Sequence, residues 1–298
     1  VTPHTGVRRY HVQHRTRYTY DAVVEAIYNR GFLRPRDTES QVVLGSELVV
    51  SPEPDQVTEH LDYFGNHSTY LETRQPLTSY EVTCRSTVEV DWPVPDLAAL
   101  NRYPVGGAAA ELLDQTDPVL LADFTTPSPL VALNDSVPGY AADILRPERP
   151  LGDALAALAS RIAADFDYRR GTTTVMTTLD ELLELREGVC QDFAHLVVGC
   201  LRAAGLPTRY VSGYLETAPP PGKEKLQGAD ASHAWASVLT PSHGWVDLDA
   251  TNAQFADSRY IVTAWGRDFT DVSPLRGVVY TEAVSSSLTV GVDVTPVE

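Results

Sequence analysis

Hydrophobic and polar positions change their period twice along this chain. Over residues 7–90 the alternation is close to two. Arg8 to Tyr20 (RRYHVQHRTRYTY), Gln41 to Val50 (QVVLGSELVV) and Ser79 to Val90 (SYEVTCRSTVEV) set aromatic and β-branched residues against polar ones, as half-buried strands do. DYFGNH, Asp62 to His67, carries the Gly-Asn chemistry of a tight turn. No helical period longer than about two turns is found there, so residues 7–90 read as a β-rich N-terminal domain built of antiparallel strands. Residues 91–150 are dense in proline, from Pro93 and Pro95 to Pro147 and Pro150, and read as a connecting segment with a short helix near Ala108 to Asp114. From Leu151 the period becomes helical, with Leu155, Leu158, Ile162 and Phe166 following at spacings of three and four. Residues 151–298 then form a core that mixes helix and strand. Within it TAPPPGKEKLQGAD, Thr217 to Asp230, is a loop by composition and long enough to suggest a functional role.

Composition narrows the function classes. The chain has 298 residues, enough for one or two domains with a real core. Its formal net charge is −17, and a surface that acidic repels phosphate backbones and anionic lipid, which disfavours nucleic acid and membrane surfaces as partners. No apolar run approaches the length of a transmembrane helix, and Val1 to Tyr20 is too polar for a signal peptide's apolar stretch. Three scattered cysteines (Cys84, Cys190, Cys200) fit free thiols in a reducing cytoplasm better than a disulfide framework.

The chemistry concentrates in REGVCQDFAHLVVGCLRAAGLPTRYVSGY, Arg186 to Tyr214. With Cys190 in the first turn of a helix, Phe193, Ala194, Val197, Leu201 and Ala204 share its face. Gln191, Asp192, His195, Gly199 and Arg202 fall opposite, and Gly205 and Pro207 end the helix. A sulfur at a helix N-terminus sits where the macrodipole favours a thiolate. His195 lies around the helix from Cys190 and cannot serve as its base. His233, in ASHAWASVL, can: it shares one strand face with Trp235 and Ser237. PSHG (Pro241 to Gly244) turns the chain, and WVDLDATN returns to bring Asp249 level with His233. Cys190, His233 and Asp249 would then form a nucleophile, its base and an orienting carboxylate.

GVCQDFAHL, ASHAWASV and WVDLDATN together resemble the core of the transglutaminase-like superfamily of papain-related cysteine enzymes. YHVQHRTRYTYDAVVEA, GFLRPR, DYFGN and the tail YIVTAWGRDFTDVSPLRGVVY are similar to its bacterial branch, which has a dedicated β-rich N-terminal region. The resemblance implies an α+β fold in which a papain-like core, a helix packed on an antiparallel sheet, follows the β-rich domain. It also implies amide chemistry through a Cys190 thioester, with His233 as base and Asp249 as carboxylate. The reading is a peptidase or amidase acting on a peptide or an amide-bearing small molecule. A cross-linking or amide-forming enzyme and a non-catalytic peptide-binding module are the alternatives. The backbone N–H of Cys190 is the first oxyanion donor. Animal transglutaminases place a tryptophan upstream of the cysteine, and none stands between Ile162 and Gly188, so Tyr168 and Gln191 are the candidates for the second donor. Trp235 is a candidate to roof the site or to pack in the core.

Other polar residues have plainer readings. Asp247 is expected to be solvated or to cap, Asn252 to form an Asx turn, and His243 to be exposed in the hairpin turn. Asp268 and Asp271 line the cleft or cap a loop. Cys200 and Cys84 read as core thiols. His11 and His14, three apart in a strand, face opposite ways and cannot form a local metal pair. No EF-hand, P-loop or GxGxxG segment is present, so no cofactor is expected.

Overall fold

The computed structural model describes residues 4–217 and 232–297. The loop read over 217–230 lies, beyond Thr217, outside the described residues. The chain opens with five strands, β1 (Arg8–Gly31), β2 (Gln41–Ser51), β3 (Gln56–Leu61), β4 (His67–Thr73) and β5 (Leu77–Val90). Four short helices follow, α1 (Leu97–Leu100), α2 (Val105–Gln115), α3 (Pro118–Thr125) and α4 (Ser136–Ala141), and then the longer α5 (Leu151–Asp165). The core continues with β6 (Asp167–Tyr168), α6 (Leu179–Leu185), β7 (Glu187–Gly188), α7 (Cys190–Ala203), β8 (Thr208–Leu215), β9 (Ser232–Thr240), β10 (Gly244–Asp249), β11 (Gln254–Phe255) and β12 (Tyr260–Gly266). It ends with α8 (Phe269–Val272), β13 (Leu275–Thr281) and β14 (Ser286–Val297).

Two sheets organise the molecule. The larger runs β2-β5-β1-β4-β3, with β13 and β14 also paired to β1. Its axis is β1, whose first half pairs with β5 and β14 and whose last residues pair with β4 and β13. Register shifts between Thr19 and Val24 and between Val24 and Ala26 mark the place where it changes partners, as bulges allow. The smaller sheet is antiparallel, in the order β11-β10-β9-β8-β12, and α7 packs on it against β9 and β8. The α+β architecture and the turn at Asp62–Asn66, with Gly65 at φ +73°, are as the sequence indicates.

The boundaries drawn from the sequence are corrected in two places. Residues 275–297 belong to the N-terminal sheet, not to a core ending at 298, because β13 and β14 hydrogen-bond to β1. Residues 91–150 are no linker. Three of their prolines start helices: Pro104 and Pro150 precede α2 and α5, and Pro118 opens α3, positions where a missing N–H costs nothing. Leu100, Val105, Leu112, Val131 and Ile144 of this segment share one apolar core with Leu155, Leu158, Val197 and Leu201.

The sheets meet where β12, an edge strand, faces the N-terminal region. Gln41 donates from Nε2 to the Val262 carbonyl and accepts the Val262 N–H, both at 2.8 Å. Asn66 does the same to Trp265 at 2.8 and 2.9 Å. Two side-chain amides thus occupy backbone groups that an edge strand would otherwise present to another chain. Tyr10, Val12, Val88 and Val292 pack on Tyr214 and Ile261 beneath them.

Candidate active site

The nucleophile's position is set by the residues before and after it. Cys190 is the first residue of α7 and is half-buried. Asp192, three residues past the N-cap Val189, accepts the Val189 N–H and the Thr173 hydroxyl, each at 2.8 Å. A carboxylate there satisfies a free helix donor and complements the dipole. Burial raises the Asp192 carboxyl, while the bonds from Val189 and Thr173 act the other way. Gly188 makes room for it: a Cβ at that position would lie 2.9 Å from Asp192 Oδ2.

The helix face opposite Cys190 is also largely buried, with Gly199 covered by Val137 of α4 and Leu179 of α6. His195 packs instead on Tyr210 of β8, and its Nε2 accepts the Phe269 N–H at 3.2 Å. Burial lowers its imidazole to about 4. It points away from the chemistry, as the helix geometry requires.

His233 and Asp249 converge as the hairpin predicts. β9 and β10 pair antiparallel, with Ala236 opposite Leu248, and His233 Nε2 lies 2.7 Å from Asp249 Oδ2. Cys190 lies close enough to the same imidazole to add to its upward shift, and with Nε2 engaged by Asp249 the nitrogen left for the sulfur is Nδ1. Burial alone would lower this imidazole, but the Asp249 carboxylate and the contact with Cys190 outweigh it and raise it to about 10. Asp249 is fully buried. Its Oδ1 accepts the Thr251 and Asn252 N–H groups at 2.8 and 3.3 Å. Its Oδ2 accepts the Asn252 amide at 2.7 Å and the Tyr260 hydroxyl at 2.6 Å. Burial opposes the charge on Asp249, and the His233 charge with these donors overcomes it, so the carboxyl is held below its ordinary value. Tyr260 is a residue the sequence reading missed. Asn252 differs too: Asp249 makes the turn, and the Asn252 amide supports the carboxylate.

The remaining candidates separate. Trp235 is fully buried beside His233, and its indole N–H donates to Asp247 Oδ1 at 2.7 Å. It is therefore neither a roof nor an oxyanion donor. Asp247, read as solvated or capping, is buried and also holds the Ser237 hydroxyl at 3.1 Å. Asp268 caps α8 through Thr270 and accepts the Leu130 N–H, and Asp271 pairs with Arg267. Both are structural. His243 is half-buried in its turn. Tyr168 is 49% exposed, on the strand paired with Gly188, and its ring packs on Phe193. Burial raises its phenol, with the neighbouring Cys190 adding to the shift. Gln191 is half-buried and lines a groove of about 640 Å³ with Ser232, Val175, Met176 and Phe269. Among the described residues no cluster of three His, Cys, Asp or Glu could hold a metal ion.

Comparison with known proteins agrees with this architecture. Residues 10–89 match the model of the bacterial transglutaminase-like N-terminal region, and residues 138–250 match that of the transglutaminase-like superfamily. An uncharacterized protein of Mycobacterium tuberculosis is 44% identical over 305 residues, spanning 99% of this chain and 95% of the relative. A protein-glutamine gamma-glutamyltransferase of Pseudomonas aeruginosa is 32% identical over 111 residues, 33% of this chain and 16% of that protein. A crystal structure from Cytophaga hutchinsonii, described as a candidate cysteine protease, superposes with a TM-score of 0.80 at 20% identity, covering 99% of this chain and 92% of its own. The chain belongs to the transglutaminase-like superfamily, with the bacterial transglutaminase-like N-terminal region preceding the core.

Proposed function

We propose that this protein cleaves amide bonds through a thioester on Cys190, as a transglutaminase-like peptidase or amidase. One observation carries the reading: the buried His233 ring is held by Asp249 at 2.7 Å and has Cys190, at the start of α7, as its other charged neighbour. An imidazole oriented by a buried carboxylate and set beside a sulfur at a helix start is the arrangement a cysteine nucleophile needs. In the first half-reaction the sulfur attacks the carbonyl carbon, a C–S bond forms and the carbonyl electron pair moves to oxygen. The backbone N–H of Cys190, which at the first helical position has no acceptor within the helix, meets that oxyanion, with Tyr168 or Gln191 as second donor. Collapse breaks the C–N bond and the amine departs with the proton from His233. Water then gives a proton to His233 and attacks the thioester, which returns the acid and the free sulfur. Asp249 fixes the tautomer and balances the imidazolium charge.

A second reading, transfer of the acyl group to an amine, is favoured by the similarity to the Pseudomonas aeruginosa glutamyltransferase. A p-nitrophenyl ester tests both. Acid quench and mass spectrometry should find the acyl group on Cys190, and hydroxylamine in the reaction should divert it to hydroxamate if transfer competes. Free acid alone would favour hydrolysis. Failure to acylate Cys190 would favour a peptide-binding module without turnover.

A further inference from the structure

A groove lined by the chain neighbours of Cys190 and His233, though by neither of those two residues, is walled by both sheets. Gln191 follows Cys190 and Ser232 precedes His233 in the chain, and both line it from the core. Opposite them stand Thr16 and Tyr18 of β1 and Leu288 and Val290 of β14. In the ladder Tyr18 pairs with Leu288 and Thr16 with Val290, so the four share one face. Leu288, Val290, Val175 and Met176 are 57%, 47%, 52% and 66% exposed. Apolar side chains that converge on one groove while open to water are matched by a partner's apolar surface.

The groove's charge is the more specific signal. Although the chain carries −17 overall, among the described residues no Asp, Glu or Lys lines this cavity, and Arg276 is the one formally charged side chain on its wall. His14, which also lines it, is bonded to Tyr214 and Thr16, and burial lowers it to about 4, so it is neutral. Arg276 is exposed and donates to the Thr270 carbonyl at 2.7 Å. Among the described residues no carboxylate pairs with it. Directly across the β1–β13 ladder stands Arg30, and like charges in register cost stability unless something offsets them. Both arginines line an adjoining cavity of about 400 Å³, with Arg276 common to the two. Of the carboxylates there, Asp271 is paired with Arg267, while Asp62 and Asp123 accept from the neutral Asn66 and Tyr63 and partly offset the two arginines without forming an ion pair with Arg276.

We propose that this groove takes a substrate with an apolar body and a carboxylate remote from the reacting carbonyl, and that Arg276, with Arg30 behind it, binds that carboxylate. A short apolar peptide with a free C-terminus is such a substrate. The inference rests on Cys190 as the nucleophile, and it gives the β-rich region a role as one wall of the substrate site.

Affinity labelling tests it. A series of ω-iodoacetamido alkanoic acids of increasing chain length, with their matched primary amides, is reacted with the full chain, and alkylation of Cys190 is followed by peptide mass spectrometry. At the fitting length the acid should alkylate roughly fivefold faster than the amide, the most that an exposed ion pair supplies. With each rate divided by the same protein's rate with plain iodoacetamide, the preference should vanish in Arg276→Gln, persist in Arg276→Lys and reverse in Arg276→Glu. Equal rates for acids and amides in the wild type at every length would overturn the carboxylate subsite and leave the nucleophile intact. No alkylation of Cys190 even by iodoacetamide would overturn the proposed function and this inference together.

Discussion

Removing one hydroxyl, in Tyr260→Phe, separates the electrostatic role of the site from its packing. The Tyr260 O–H donates to Asp249 Oδ2 at 2.6 Å, and its oxygen accepts from Gln254 Nε2 at 2.8 Å. The ring, edge-on to Trp235 with centroids 5.3 Å apart, is retained in the variant. Gln254 is half-buried and can bond to water instead. The net loss is one hydrogen bond to a charged group, worth about 1.5–3 kcal/mol. The sign with pH follows from Asp249, whose carboxyl is held below its ordinary value. Stability from that charge is complete above the ordinary carboxylate value and is lost as pH falls through the folded one. The destabilisation should therefore be full at neutral pH and shrink toward the roughly 1 kcal/mol of a neutral hydrogen bond once Asp249 is protonated. Losing a competing donor also makes Asp249 a stronger acceptor for His233, so the imidazole should titrate higher. Urea unfolding of both proteins at neutral and acidic pH measures the first effect, and NMR of the ring protons measures the second. A destabilisation that does not change with pH, together with an unmoved His233 titration, would refute the reasoning.

Three further outcomes follow from other parts of the structure. Because His233 is raised from 6.5 to about 10, its contribution to stability is complete below 6.5 and is lost as pH rises to about 10. Unfolding free energy should fall across that window with a slope approaching about 1.4 kcal/mol per pH unit, and Asp249→Asn should flatten the slope. Gly213→Ala should cost roughly 1–3 kcal/mol or more in urea unfolding, because its Cβ would lie 2.1 Å from the Ile261 carbonyl and 2.6 Å from the Trp235 ring. An unchanged midpoint would mean that the strands part easily there. His195→Ala should lower stability by about 1–3 kcal/mol by leaving the Phe269 N–H unpaired, yet leave the alkylation rate of Cys190 unchanged. A large loss of reactivity would place His195 in the machinery.

The places of Cys190, His233 and Asp249 in the fold were legible because each follows from a local rule. Cys190 is marked by the start of a helical pattern, and His233 and Asp249 by strand alternation across a short hairpin. Tyr260 was not legible, since it lies on β12, which pairs with β8 and not with the hairpin. No local period reports a contact between non-neighbouring strands. The C-terminal strands were misassigned for the same reason: alternation says that residues 286–297 are a strand but not which sheet receives them. What meets the far face of α7 was not legible, because polarity does not reveal a side chain's partner. Arg202 is buried and donates to the carbonyls of Thr208, Thr126 and Arg267 at 2.9, 3.0 and 2.8 Å. Asp192 is likewise taken up by the helix start it caps. Buried polar groups satisfied by distant backbone look the same in sequence as a wetted surface.

The central claim is that His233 and Asp249 make Cys190 a nucleophile. It is tested most directly by the rate at which iodoacetamide alkylates Cys190 at neutral pH in the wild type, His233→Gln and Asp249→Asn. The account predicts fast labelling of Cys190 in the wild type with the buried Cys84 and Cys200 spared, a large fall in His233→Gln and an intermediate rate in Asp249→Asn. Equal rates in all three proteins would contradict it.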